Sequence, residues 1–518
     1  MVIDSKQQLN DTFLLQVRVL LAESDRIYTE RCIIDLKEYG RLGFSSEQIG
    51  NLDQTLLTNA KKCRETHERW REEIEKRINF AFQVQKPDFW TDKAVSINKW
   101  ATCTGTVEKK SQLFLKLLAI SIPEFGYDAR MAFLMDQLWR TIRLDRHTFA
   151  RKVESLLVEE INKGHLAAQQ VLNVQESTNT TMKKRMIIGL SAVVGAIMVG
   201  ATAGMAAPVA LPLFGSLLGI GAGAAFMSGA TGTALFVVLF GAGGAGLASY
   251  KMERRYRDIT SFHFVPMVAK NQMRVAIGLS GWINEDKDIT NPWTGLITLG
   301  RDVFALECEK EAFQNLGSAL KRLAIGTAMT VAAKHAIINT TLQTAIAALA
   351  WPVAMLQATS FIDNSWSVCL NISKKAGLIL ADVIRNRAHG HRPLTLAGFS
   401  LGALMIFECL RELSKDPAPH LGIIENVVLF GLPAHFIPVH TWHCIRMLVA
   451  GRFIHCYSKN DWILRFLYRV TSLTVEDIVG LNALEGVASI ENVDMTNFVH
   501  GHLEYAEKTN EMLQMLDL

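Results

Sequence analysis

The carboxyl half of this 518-residue chain predicts an α/β fold built on a mostly parallel sheet. Three observations carry that reading. From about residue 256 onward, short apolar runs of strand length alternate with helix-length segments, the pattern of a sheet with both faces covered. One run, Leu394–Ala397, leads into Gly398-Phe399-Ser400-Leu401-Gly402 and then directly into an apolar helical stretch, which makes a strand, a sharp turn and a helix. Upstream, the 65 positions from Met186 to Tyr250 hold no charged residue and no histidine. The chain therefore divides into a helical amino-terminal domain (1–182), a glycine-rich apolar hairpin (183–255) and an α/β domain (256–518).

In the first region, polar and apolar positions repeat with a period near 3.6. The clearest case runs from Asp53 to Gln85. Cys63, His67, Trp70, Ile74, Ile78 and Phe82 form its apolar stripe, and Glu72–Lys76 and Glu73–Arg77 pair opposite charges four residues apart on its exposed face. Pro87 ends it. A second helical block is expected from about Asp145 to Gln175. Its heptads do not persist, so packing in an ordinary helical domain is favoured over a coiled coil.

The uncharged run is long enough for two or three membrane-spanning helices, at about 20 residues each. Met186–Ala207 and Thr233–Tyr250 are the best spans. Lys183, Lys184 and Arg185 precede the run, and Lys251, Arg254 and Arg255 follow it. Basic flanks stay on the cytosolic side, so two crossings fit best, with both remaining parts facing the cytosol. Gly200–Gly204 and Gly215–Gly219–Gly223 place small residues at four-residue steps, which lets helices approach closely in lipid. The run also explains a mean hydropathy of +0.16.

In the last region, strands are expected at Ile259–Pro266, Met273–Leu279, Val303–Glu307, Leu394–Ala397, Asn426–Phe430, Arg452–Tyr457 and Ile490–Val493. Helices are expected at about Ala312–Ala350 and Ser365–Arg385, with a final one ending near Leu516.

Composition narrows the function. A net charge of +4, with acids and bases mixed along the chain, excludes the basic face that a nucleic-acid partner requires. The eight cysteines are singletons with no C-x-x-C, the usage of reduced thiols. The amino terminus lacks the basic-then-apolar pattern of a signal peptide. His435, His440, His443 and Cys444 match no metal-site spacing, and no metal or organic cofactor is implied.

The chemistry centres on the G-x-S-x-G turn. A serine hydroxyl becomes a useful nucleophile when a histidine takes its proton and a carboxylate orients that histidine. In α/β-hydrolases the chain order is serine, acid, histidine. Ser400, Asp461 and His502 supply that order, each in a loop after a predicted strand, where catalytic groups of parallel sheets gather. Asp461 also suits a plain turn role in Lys459-Asn460-Asp461, and His500 competes with His502. The Leu401 N–H, directly after the serine, is the first oxyanion donor. A second is expected near Gly281 and Trp282, where a tight turn with a core tryptophan is the alternative.

Gly281-Trp282, Gly398-Phe399-Ser400-Leu401-Gly402-Ala403, Asp461-Trp462 and Gly501-His502-Leu503-Glu504-Tyr505, following a glycine-rich hairpin, resemble the transmembrane and coiled-coil domain-containing protein 4 family. The resemblance implies an α/β-hydrolase fold, membrane association and Ser400, Asp461 and His502 as the triad. It implies no substrate. The expected function is a membrane-anchored serine hydrolase acting on an ester or thioester, with a lipid or acyl substrate suggested by the adjoining membrane segment. The rival is a silent hydrolase fold that recruits protein partners to a bilayer through its helical amino-terminal domain.

Overall fold

The computed structural model describes residues 5–32, 46–82, 113–114, 117–118, 127–142, 259–270, 272–297, 301–337, 365–435, 437–471, 478–487 and 489–517. The expected membrane hairpin at 183–255 and the helical block at Asp145–Gln175 lie outside them. Among the described residues, no helix is long and apolar enough to cross a membrane.

The amino-terminal helices are α1 (Ser5–Cys32), α2 (Ser46–Phe82) and α3 (Ala129–Ile142). The stripe expected on α2 is its buried face: Cys63, His67, Trp70, Ile74 and Ile78 are all buried. On the opposite face Arg77 bonds Glu73 at 3.0 Å. The Tyr28 ring of α1 stacks on His67 with centroids 4.3 Å apart.

Seven strands form one sheet: β1 (Phe262–Val268), β2 (Val275–Leu279), β3 (Asp302–Cys308), β4 (Leu394–Phe399), β5 (Ile424–Phe430), β6 (Phe453–Tyr457) and β7 (Glu491–Asp494), in the spatial order β1-β3-β2-β4-β5-β6-β7. Every expected strand is present, with ends that coincide or shift by up to three residues. All neighbours run parallel except β1, which pairs antiparallel with β3 at one edge. Edge position suits β1, because Pro266 donates no ladder hydrogen bond and the register shifts there. The interior strands β2, β4, β5 and β6 are buried at every position, as continuous apolar runs require.

Between the strands lie α4 (Lys310–Ile337), α5 (residues 365–385), α6 (Leu401–Leu413), α7 (Val439–Met447), α8 (Trp462–Thr471) and α9 (Glu504–Met515). The helix α6, which follows the serine, is apolar on nearly every side and lies inside the core.

The amino-terminal helices pack onto the α/β part. Tyr28, Ala60 and Cys63 share a buried cluster with Leu421 and Met447. Beneath the sheet, at its amino rim, Arg274 bonds Asp136 of α3 at 3.1 and 3.2 Å, Glu425 of β5 at 2.8 Å and the Tyr127 hydroxyl at 3.1 Å, all buried. Arg301 adds a second bond to Glu425 at 3.4 Å.

Candidate active site

Ser400 stands between β4, the middle strand of the seven, and α6. Its backbone is at φ 52°, ψ −125°, a conformation that L-residues rarely adopt and that a tightly packed corner must enforce. The corner closes because β2 and α6 touch. A β-carbon on Gly402 would lie 1.9 Å from the Leu279 carbonyl oxygen, so only glycine fits. The Ser400 N–H donates to the Phe430 carbonyl at the end of β5 (2.9 Å), which fixes the turn from the other side.

Three side chains from three distant segments meet here. Ser400 Oγ lies 2.7 Å from His502 Nε2, and His502 Nδ1 lies 2.6 Å from Asp461 Oδ2. Each of the three residues is 0 % exposed, which strengthens the electrostatic coupling along the chain of hydrogen bonds. With Nδ1–H donated to the carboxylate, Nε2 is left as the acceptor facing the hydroxyl. His500 is exposed, and its backbone N–H caps onto Glu504 at 3.0 Å. It is therefore His502 that faces the serine.

The two readings of Asp461 turn out to be compatible. Its Oδ1 accepts the Leu464 N–H at 2.9 Å, capping the first turn of α8, while Oδ2 holds the imidazole. The cap fixes the carboxylate's rotamer. The loop that carries His502 is tied to the same place: Ser458 Oγ donates to the Val499 carbonyl at 2.7 Å, and Asn460 Nδ2 donates to the Thr496 carbonyl at 2.9 Å.

Gly281 leans over the corner. A β-carbon there would lie 2.6 Å from Leu401 N, 2.6 Å from the Ser400 β-carbon and 2.3 Å from the Phe399 carbonyl oxygen. Leu401 is the first residue of α6, so its N–H has no partner within the helix. The backbone around 281 and the Leu401 N–H thus flank the serine together. Trp282 is buried and sets its ring edge-to-face on Phe399 at 5.8 Å, and its indole N–H has no hydrogen-bond partner.

Two supporting residues lie outside the expected site residues. Trp293 stacks on Phe399 at 5.8 Å and donates to Ser280 Oγ at 3.2 Å, and Ser280 in turn donates to the Asp288 carbonyl at 3.0 Å. This belt holds the loop of Gly281. Tyr505, one helical turn beyond His502, sets its ring edge-to-face on the imidazole at 5.8 Å. Burial, and then the Asp461 charge, push its phenol well above the ordinary tyrosine range.

Among the described residues, no group of three or more His, Cys, Asp or Glu is placed to hold a metal, and that includes the stretch from His435 to Cys444. Cys63, Cys308, Cys369, Cys409, Cys444 and Cys456 are free thiols.

Residues 180–518 match the model of a family described as protein of unknown function (DUF726). The rice transmembrane and coiled-coil domain-containing protein STS1 is 34% identical over 416 residues, covering 76% of this chain and 61% of the rice protein. An uncharacterized membrane protein of Caenorhabditis elegans is 32% identical over 414 residues, covering 78% of this chain and 66% of its own length. The Saccharomyces cerevisiae protein named probable lipase MIL1 is 32% identical over 412 residues, covering 78% of this chain and 38% of the yeast protein. The chain thus spans under two thirds of the length of these relatives. No solved structure matches.

Proposed function

The chain belongs to the DUF726 family, together with the transmembrane and coiled-coil domain-containing proteins, and from that premise we propose that it is a membrane-associated serine hydrolase of α/β-hydrolase type. The observation that carries the proposal is the continuous hydrogen-bonded line from Ser400 through His502 to Asp461, mounted on a backbone turn held at positive φ. The strand order supports it. The nucleophile stands after the central parallel strand, the acid after β6 and the histidine after β7, which is the arrangement expected of such hydrolases.

In this mechanism Ser400 Oγ attacks the carbonyl carbon of an ester or thioester as His502 Nε2 removes its proton. Asp461 holds Nδ1–H and stabilises the imidazolium. The tetrahedral oxyanion is met by the Leu401 N–H and by a backbone N–H at Gly281 or Trp282. His502 then passes its proton to the departing alcohol or thiol. Water, activated by the same imidazole, attacks the acyl-serine and releases the acid. A lipid or acyl substrate accords with membrane-protein relatives and with one relative named a probable lipase.

A fluorophosphonate probe tests the proposal on the full chain in lipid bilayers. Labelling of the wild type that disappears in Ser400→Ala supports it. Folded wild-type protein that takes no label overturns it.

A further inference from the structure

On the amino rim of the sheet, far from the serine, the turn between α5 and β4 places a basic residue where local backbone physics favours another. The helix α5 ends in a double hydrogen-bonded wrap: Ala388 N–H reaches the Val383 carbonyl at 3.2 Å, and Arg387 N–H reaches the Ile384 carbonyl at 3.0 Å. This closure puts one residue in the left-handed region, usually glycine. Here it is Arg387, at φ 53°. An arginine is strained there relative to glycine. Its side chain carries no ion pair among the described residues. Asp128, the carboxylate within its electrostatic reach, is already bonded to Arg130 at 2.6 and 2.9 Å. Burial pushes the Arg387 guanidinium down to about 10, as expected of a cation that lacks its counter-charge.

Other donors lie on the same and the adjoining turns. His389, two residues on, is 1% exposed and neither ring nitrogen has a hydrogen-bond partner. Arg130 is buried with its Nη1 equally unpartnered. His420 lies on the adjoining turn, which is joined to this one by Leu394 N–H to the Ile423 carbonyl (2.9 Å) and to Arg130's helix by Ala129 N–H to the Gly422 carbonyl (2.8 Å). His391, on the same turn as His389, is half-buried. Arg392 is already matched by Asp302 at 2.6 Å. Arg385, within electrostatic reach of His420, bonds Asp382, and Asp416 lies within reach of the same imidazole, which leaves Arg387 as the cation of this group with no ion pair among the described residues. A neutral imidazole donates one N–H without adding charge. Buried donors left without partners are costly, so a ligand that accepts from several of them at once is the natural complement.

We propose that Arg387, His389, Arg130 and His420 form a binding site for a phosphate-type oxyanion, either free phosphate or the phosphomonoester headgroup of a lipid. The oxyanion pairs with the Arg387 guanidinium and accepts N–H bonds from His389 and Arg130 Nη1. The site lies at the end of the strands opposite Ser400 and is independent of the hydrolase reading.

Arg387→Gly is the informative variant, because glycine suits the backbone there and the protein keeps its fold. The thermal midpoint of the full chain is measured in uncharged detergent with potassium phosphate against potassium chloride at equal ionic strength. It is measured again in phosphatidylcholine nanodiscs with and without phosphatidic acid. The midpoint rises with phosphate or with phosphatidic acid, saturably. In Arg387→Gly the apparent affinity falls at least about tenfold, while the midpoint in chloride is no lower than wild type. Ser400→Ala keeps the full response. A response to phosphate identifies a free anion as sufficient, and a response to phosphatidic acid alone identifies the headgroup. No response beyond chloride in either arm, or a response undiminished in Arg387→Gly, overturns the proposal.

Discussion

The two rims of one sheet are put to opposite uses. At the carboxyl rim, Gly281, Ser400, Asp461 and His502 follow β2, β4, β6 and β7, and their hydrogen bonds end in the Ser400 hydroxyl. At the amino rim, Arg274, Arg301 and Arg392 precede β2, β3 and β4, and they meet Glu425, Asp302 and Asp136 in buried ion pairs. Both rims bury polar groups. The upper one ends in the Ser400 hydroxyl, whereas the lower one uses charge to dock a helix. The difference teaches that buried polarity alone does not mark a reactive site. What matters is whether the line of partners closes on itself or ends in a group still able to react.

The largest expected effect breaks only the upper rim. Ser400→Ala lowers esterase turnover by roughly 10⁴- to 10⁶-fold, as loss of a triad nucleophile does elsewhere, while the denaturation midpoint stays within experimental scatter. Glu425→Gln does the reverse. It leaves Arg274 and Arg301 sharing one less carboxylate in a buried setting, and about 3 kcal/mol of stability is lost to chemical denaturation. Fluorophosphonate labelling per folded molecule stays near wild type. A Glu425→Gln protein of normal stability but slow labelling would erase the distinction between the rims.

Gly281→Ala sharpens the comparison within the upper rim. The new methyl meets the Phe399 carbonyl and Leu401 N inside contact distance, so the loop must retreat from the serine. A fall of roughly 10²-fold in kcat is expected, the cost of one misplaced oxyanion donor, with a smaller change in KM.

His455 lies within β6 between the two rims, and burial pushes its imidazole down to about 4. Its folded value is depressed below the unfolded value near 6.5, so the folded state binds the proton less readily. Stability is therefore full above about pH 6.5 and declines as the pH falls toward 4. At pH 5 the loss attributable to this residue is about 2 kcal/mol. It is read as a steeper acid fall in the denaturation midpoint of wild type than of His455→Gln.

Much of the upper rim was legible in the chain. Ser400 announces itself because so sharp a corner demands small residues at 398 and 402, and Asp461 follows a strand buried at every position, whereas the strand before His502 is short, polar and mostly exposed. The lower rim was not legible. Arg274 and Glu425 look like ordinary strand flanks until Asp136, far away in sequence, is brought beneath them. The antiparallel direction of β1 was equally silent, since a half-exposed edge strand reads alike in either direction. Trp293 gave no signal either, because a stacking partner for Phe399 is defined only by the fold.

The smallest expected effect concerns His500, the rival of His502 in the sequence. His500 and His502 sit two positions apart around Gly501, and both follow the last strand. In the folded chain the turn that starts α9 sends them in different directions. The His500 N–H caps onto Glu504 and its ring faces solvent, while the 502 ring is clamped between Ser400, Asp461 and the face of Tyr505. Removing the 500 ring deletes no hydrogen bond to the triad and leaves the backbone cap intact. His500→Gln is therefore expected to keep kcat within about twofold, as surface substitutions away from such features do little. His502→Gln, which keeps a polar side chain but no base at Nε2, falls nearly as far as Ser400→Ala. Equal losses from the two glutamine variants would mean that the loop exchanges the rings during turnover. The comparison of rims would then have to treat this corner as mobile rather than fixed.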